Sequence, residues 1–373
     1  MKKRILHIQL LPLLSGVQNV MLHLLQGLDP DEFEIYVACQ PGGPLVEAVK
    51  IRGYHYLPLP LLKHKISPLD AVILGQLFFL CRKYRFDIVH THSSKPGLLG
   101  RIAARLAGVP LVMHTGHGAP FHSVMPEVEQ RFYLELERLG ALFCHKMVFV
   151  NNYHREFYLQ HKLISADKAL TIYNALEPEL QTEIEQLCKP KRSRKKIITI
   201  GSLLRFSAAK NIVMTVNAAI KVCQQRSDVQ FIFVGDGELL ELCRMMVRTN
   251  QLEDRILLPG WQNDTAVQLS GFDAFLHYSN YEGLPVSIIE AMYAGLPIIG
   301  SDISPIAELV DETSGWLIKP GQLDLLVAEL HKIIDARDCY KEKGEAGRKK
   351  IRELCSYENF LSGYLSLYRN GQE

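Results

Sequence analysis

Short apolar runs and helix-spaced apolar stripes alternate along the chain almost from end to end. Arg4–Leu10 reads as a short apolar strand, and Gly16–Leu28 carries apolar residues at 17, 20, 21, 24, 25 and 28, the spacing of one helix face. The alternation continues as strand Glu34–Ala38, helix Leu45–Arg52, strand His55–Leu57 and helix Leu69–Tyr84. Strand Ile88–Thr91, helix Leu98–Ala107 and strand Leu111–His114 follow. A long helix over about Val128–Gly140, strand Lys146–Val150, helix Tyr153–His161 and strand Ala169–Tyr173 complete this part. Repeated strand–helix units with short connections predict a parallel sheet covered by helices on both faces.

The pattern breaks at residues 177–196, first acidic and polar, then strongly basic (CKPKRSRKK, with Pro190 inside). This stretch is expected to be a solvated linker, in preference to a nuclear signal or a lipid contact. A second series opens at Ile197–Ile200 and continues through Phe231–Val234, Ile256–Leu258, Ala274–His277, Ile298–Gly300 and Trp316–Ile318. The expected fold is α/β, with two Rossmann-like parallel-sheet domains at 1–176 and 197–355. A length of 373 residues agrees, being more than one core usually organises. Tyr357–Arg369 has apolar or aromatic residues at 357, 360, 361, 364, 365 and 368, an amphipathic helix that needs a surface to cover.

A composition of 47% hydrophobic and 22% charged residues excludes a disordered chain. Net charge becomes informative only when divided: residues 1–170 hold 19 Lys+Arg against 13 Asp+Glu, and the remainder 23 against 27. The first part, at +6, also holds twelve of the fourteen histidines. That asymmetry points to an anionic partner such as a phosphorylated lipid or a membrane surface. Basic runs interleaved with aromatics are missing, which argues against nucleic acid. Eight scattered cysteines without a CxxC pair read as buried small hydrophobes in a reducing compartment. The start MKKRILHIQLLPLL could pass for a signal peptide, but His7 and Gln9 interrupt it and no small-residue cleavage site follows, so it reads as the first strand. With no apolar stretch near the ~20 residues of a membrane span, the expected location is cytoplasmic.

NYEGLPVSIIEAMYAGLPIIGSD holds the strongest chemical signal. Glu282 and Glu290 would lie about 80° apart on one helix, but Gly283 and Pro285 place Glu282 in a loop ahead of the helix carrying Glu290. Backbone N–H groups at a helix start favour phosphate, and carboxylates accept well from sugar and ribose hydroxyls. An acidic cap and a surface Glu remain the plainer alternative. Gly235 and Gly237 in VGDGE lack the third glycine of a dinucleotide fingerprint and read as a tight turn. His90 and His92 face one way from a strand and could ligate a metal. No partner carboxylate is placed with them, so no metal site is expected. His114 and His117 in HTGHG follow a parallel strand, where such sheets place ligands.

E-x7-E followed by AMYAGLP closely resembles the donor-site motif of the family 4 retaining glycosyltransferases with the GT-B fold. Further matches run in order along almost the whole chain: SGVQNVMLHL, FDIVHTHSSKPGLLGRIAARLAGVPLVMHTGHG, RFSAAKN for the Arg-x4-Lys signature, FVGDGELL, and GWLIKPGQLDLL. The resemblance implies two domains facing across a cleft, the first binding the acceptor and the second a nucleotide sugar, with the last helix (about 356–373) returning to the first. It implies donor-phosphate contacts from Arg205 and Lys210 and from the loop at Ser15 and Gly16. The backbone of Gly283, Leu284 and Pro285 would line the pyrophosphate. Glu282 would meet the hydroxyls of the transferred sugar, Glu290 the ribose and His117 the sugar, while Trp261 stands either near the base or in the core. His117, Arg205, Lys210 and Glu282 are thus the expected catalytic set, with no cofactor and no metal.

Departures from the family pattern are Ser15 and Leu204, where glycine is usual, and Ala175 in YNALEP, where Asn-Gly is usual. EGLPVS favours a UDP-sugar donor, and the overall likeness is to bacterial enzymes of surface polysaccharide assembly. The expected acceptor is lipid-linked or an oligosaccharide, met by an enzyme held peripherally at the inner face of the cytoplasmic membrane. A nucleotide-sugar epimerase on the same scaffold and a non-catalytic binder are the alternatives.

Overall fold

A computed structural model of the chain describes residues 2–63, 67–118, 125–188 and 197–371. The chain divides into two compact units, Met1–Ala175 with Tyr357–Glu373, and Leu176–Ser356. The first unit runs β1 (Lys3–Ile8), α1 (Gly16–Gln26), β2 (Phe33–Cys39), α2 (Pro44–Ile51), β3 (His55–Pro58), α3 (Asp70–Tyr84), β4 (Ile88–His92), α4 (Ser94–Leu106), β5 (Leu111–Gly116), α5 (Glu127–Leu142), β6 (Lys146–Phe149), α6 (Asn152–Gln160) and β7 (Ala169–Thr171). Its strands form one parallel sheet in the order β3-β2-β1-β4-β5-β6-β7.

The central strands read as apolar runs because helices cover both faces. Ile5, Leu6 and Ile8 of β1 and Val89 of β4 are all buried. On α4, helical structure begins at Ser94 and not at Leu98, because Pro96 falls in the first turn, where its missing N–H costs nothing.

The second unit runs α7 (Pro178–Leu187), β8 (Ile198–Leu203), α8 (Ile212–Gln225), β9 (Val229–Val234), α9 (Leu240–Thr249), β10 (Ile256–Gly260), α10 (Thr265–Gly271), β11 (Ala274–His277), α11 (Val286–Tyr293), β12 (Ile298–Ser301), α12 (Ser304–Ala307), β13 (Gly315–Ile318), α13 (Leu323–Asp335) and α14 (Tyr340–Leu354). Its parallel sheet has the order β10-β9-β8-β11-β12-β13. Ile200, Phe231, Phe233, Leu276 and Ile299 fill its core, closed over by Val216 of α8 and Leu330 of α13.

The expectation of a linker over 177–196 is corrected for its first half. Glu177 stands at the N-cap position without a side-chain capping bond and Pro178 opens α7, which packs on α10 and α11 with Ile184 as its only buried residue. Residues 189–196, the basic run, lie outside the described residues.

The last helix, α15 (Tyr357–Asn370), belongs to the first unit. Phe360, Tyr364 and Tyr368 are buried along one side of it. Arg369 pairs with Glu32, Lys3 Nζ donates to the Tyr368 carbonyl at 3.1 Å, and the Tyr357 hydroxyl donates to the His23 carbonyl at 2.9 Å. Six cysteines are buried, but Cys188 is half-buried and Cys339 exposed, so not every thiol is a core residue. Among the described residues no helix is long and apolar enough to cross a membrane.

Candidate active site

In each sheet the strand order reverses once, between β1 and β4 and between β8 and β11. Open parallel sheets bind ligands beyond the carboxyl ends of the strands at such points. Both clusters of candidate residues lie there.

In the second unit, β8 ends at Leu203 and a short turn at Ala208–Lys210 leads into α8. Lys210 Nζ donates to both carboxylate oxygens of Glu282, at 2.6 and 2.7 Å. His277, the last residue of β11, places Nε2 2.6 Å from Glu282 Oε1. Ser279 Oγ lies 3.1 Å from the same nitrogen. Asn280 ties this loop to the lysine turn, its backbone N–H donating to the Ala209 carbonyl at 3.0 Å and its side chain to the Ala208 carbonyl at 3.2 Å.

The Glu282 side chain is only 6% exposed. Burial pushes its carboxyl up, but the Lys210 charge and the His277 hydrogen bond outweigh it and hold the group well below the usual carboxylate range. Glu282 is therefore an anion that accepts hydrogen bonds. Glu290 is its electrical opposite. It sits on α11 beyond Gly283, Leu284 and Pro285, and burial alone pushes its carboxyl up to about 8. Two carboxyls eight positions apart thus rest in different protonation states at neutral pH.

Arg205 does not join the Lys210–Glu282–His277 cluster. It is exposed and pairs with Glu238, Nη2 to Oε2, at 3.1 Å. The VGDG turn holds its loop from beneath: Gly235 and Gly237 have φ near +140° and +154°. A Cβ on Gly235 would collide with the Leu204 carbonyl, and one on Gly237 with the Phe206 carbonyl. Trp261, half of whose expectation was a place in the core, is exposed, with Nε1 donating to Asn263 Oδ1 at 2.9 Å. β10 ends at Gly260, so Trp261 opens the loop beyond the sheet, where it is 60% exposed and not part of the core.

In the first unit, Ser15 is the N-cap residue of α1 and Gly16 its first helical residue. The Ser15 hydroxyl bonds to the Gln18 side chain and caps no backbone N–H. His117 follows β5, with Nε2 3.0 Å from His92 Nδ1. Burial lowers its ring to about 4, so it is neutral. His114 faces the other side of the sheet, with Nδ1 2.9 Å from Thr91 Oγ1.

Two residues escaped the sequence signals. His7 of β1 is in register with His90 of β4, so His7, His90 and His92 bring ring nitrogens within 4.8 Å of one another, close enough to share an ion. Spacing along one strand could not reveal a partner from another. His277 had a usable signal, a polar residue ending an otherwise apolar strand at the carboxyl edge of the sheet.

Residues 14–180 match the family model for Glycosyltransferase Family 4, and residues 183–350 that for Glycosyl transferases group 1. An Escherichia coli relative, UDP-Gal:alpha-D-GlcNAc-diphosphoundecaprenol alpha-1,3-galactosyltransferase, is 35% identical over 348 residues, which cover 90% of this chain and 88% of that one. The chain belongs to the group 1, family 4 glycosyltransferases. Solved structures agree on the fold of this glycosyltransferase. Anabaena HepE in complex with UDP and glucose superposes with a TM-score of 0.81 at 16% identity, covering 98% of this chain and 99% of that one. The lipopolysaccharide outer core galactosyltransferase WaaB superposes with a TM-score of 0.71 at 17% identity over 98% and 99%. The fold is GT-B, and family membership favours sugar transfer over the epimerase alternative.

Proposed function

We propose that this glycosyltransferase moves a hexosyl group, galactose first among the candidates, from a UDP-sugar to a hydroxyl of a lipid-linked diphosphate sugar, with retention at the anomeric carbon. The observation that carries the reading is the near full-length likeness to the Escherichia coli galactosyltransferase, joined to a charge cluster suited to a departing diphosphate. Of the three Nζ hydrogens of Lys210, two face Glu282 and one is left for a phosphate oxygen. Exposed Arg205 supplies a second cation, and together they offset charge that grows on the diphosphate as the sugar leaves. Glu282, kept anionic by Lys210 and His277, accepts from sugar hydroxyls and has no proton of its own to donate. Glu290 meets the ribose, Trp261 stands near the base, and the backbone of Gly283, Leu284 and Pro285 lines the pyrophosphate. The family pattern also assigns phosphate contacts to Ser15 and Gly16 and a contact with the transferred sugar to His117. Among the described residues none stands out as a committed nucleophile, so catalysis rests on positioning and on that charge stabilisation of the leaving diphosphate.

Attachment to membranes is assigned to the first unit. On α3, Val72 and Phe79 are exposed seven positions apart, with Arg82 and Lys83 exposed in the last turn. Such a face suits an anionic bilayer surface. Much of the MKKR charge is already engaged: Lys2 with Asp31 at 3.9 Å, Arg4 with Glu34 at 3.0 Å, and Lys3 with α15. Lys63 is exposed, and Lys65 lies outside the described residues.

The test is release of free UDP from UDP-galactose, UDP-glucose, UDP-N-acetylglucosamine and GDP-mannose, with EDTA present throughout. Slow hydrolysis of UDP-galactose in preference to GDP-mannose is expected, since transferases weakly hydrolyse their own donors. Tight UDP binding with no turnover of any donor would favour the non-catalytic alternative.

A further inference from the structure

A chain of hydrogen bonds runs from His117 into the interior of the first unit. His117 Nε2 lies 3.0 Å from His92 Nδ1, and His92 Nε2 lies 3.0 Å from His7 Nδ1. The Tyr368 hydroxyl on α15 lies 3.3 Å from His7 Nε2 and 2.7 Å from His90 Nδ1. His90 Nε2 meets Thr115 Oγ1 at 2.7 Å, and Thr115 Oγ1 meets the Tyr364 hydroxyl at 3.1 Å. Every ring nitrogen of His7, His90 and His92 is spent in this chain, which leaves none directed at a shared ion.

Burial lowers all four rings, His7 to about 3, His117 to about 4, and His90 and His92 well below the ordinary value. A neutral imidazole has one donor and one acceptor nitrogen. A series of them linked end to end can order its protons in two ways only, all toward His117 or all away from it. The far end decides between them. Tyr364 is buried, and among the described residues Thr115 is the sole hydrogen-bond partner of its hydroxyl. A buried O–H without an acceptor is costly, so Tyr364 donates to Thr115. Thr115 must then donate to His90 Nε2, His90 Nδ1–H to Tyr368, and Tyr368 to His7 Nε2. His7 Nδ1–H donates to His92 Nε2, and His92 Nδ1–H to His117 Nε2.

We propose that this chain, anchored by Tyr364 and Tyr368 of the last helix, holds His117 as the neutral Nδ1–H tautomer and so makes it a hydrogen-bond donor to a substrate oxygen. With Nε2 accepting from His92 and Nδ1 protonated, His117 is not the base that takes the acceptor's proton. His92, His7, His90, Thr115, Tyr364 and Tyr368 are positioning residues. The inference rests on the reading in which His117 meets the donor sugar, but its first readout needs no turnover.

The full chain, labelled with ¹⁵N at its histidine rings, reports each tautomer through long-range ¹H–¹⁵N correlation. The expected result is Nδ1–H in all four rings. Tyr364→Phe and Tyr368→Phe should each bring Nε2–H signal to His117 and lower kcat by roughly tenfold or more, the lower end of the loss seen when a partner orienting a metal-bound histidine is removed. UDP affinity should stay within about twofold, since UDP lacks the transferred hexose that His117 would meet. Nε2–H at His117 in the wild type, charged rings, or a stoichiometric metal ion held by His7, His90 and His92 would each overturn the proposal. So would unchanged tautomers in both variants. Four Nδ1–H rings in a protein that turns over no sugar nucleotide would uphold the tautomer assignment and reject the function reading alone.

Discussion

Lys210 Nζ bridges both oxygens of the Glu282 carboxylate at 2.6 and 2.7 Å, so the cation of the Arg-x4-Lys signature and the first glutamate of E-x7-E form one unit. Seventy-two positions separate them. Removing either leaves the other altered, which separates this pair from two independent surface charges.

Lys210→Ala should cost both stability and turnover. It leaves Glu282 buried with His277 alone, and breaking a buried pair on one side costs about 3–5 kcal/mol. Lys210→Ala/Glu282→Gln should regain most of that loss in urea denaturation. Because the Glu282 carboxyl is held below its ordinary value of 4.5, its contribution is present above that pH and fades as pH falls through the lower folded value. Glu282→Gln should therefore flatten the acid limb of a stability profile.

Arg205→Ala should behave differently. Its pair with Glu238 is exposed, and such pairs add little to stability. Loss of charge opposite the diphosphate should still raise the barrier by ~2–4 kcal/mol. Steady-state kinetics beside thermal unfolding will check this: reduced kcat with an unchanged melting temperature is expected.

Glu290 should release a proton when UDP binds. Its carboxyl, raised to about 8, is mostly protonated at pH 7, whereas a ribose diol donating to it favours the carboxylate. Calorimetry in buffers of different ionisation enthalpy should find roughly one proton released, with Glu290→Gln abolishing it. Without ligand the same group lowers stability progressively as pH rises from 4.5 toward 8, because only the unfolded chain ionises freely there.

Liposome co-sedimentation addresses the membrane face. Binding should need anionic lipid and weaken with salt, because each basic side chain near the surface contributes ~1 kcal/mol within a Debye length of ~8 Å. Phe79→Glu and Lys83→Glu should each reduce it. Equal binding to neutral vesicles would contradict this role for α3.

The sheets were legible in sequence because doubly covered parallel strands such as β1, β9 and β11 are mostly apolar, polar only at Lys3, Arg4 and His7, at Gln230 and at His277. The helix α7 was not legible: Leu180, Ile184 and Leu187 are too few among acidic neighbours to show a stripe, and its packing on α10 and α11 gives the helix its place. The ordered motifs singled out Glu282 and Lys210, but not their ion pair, since it depends on how the turn before α8 meets the loop after β11. His7 joined His90 only through strand register, and the roles of Tyr364 and Tyr368 needed the last helix in place. Periodicity marked those tyrosines as buried without saying against what.

The central claim is sugar transfer, and product analysis tests it most directly. Purified enzyme, UDP-galactose and a synthetic lipid-linked N-acetylglucosamine diphosphate should yield a disaccharide lipid whose new anomeric proton shows the small coupling of an α-linkage. A product formed from UDP-galactose with a β-linkage would contradict retention. No product from any UDP-sugar, by an enzyme that still binds UDP, would contradict the account as a whole.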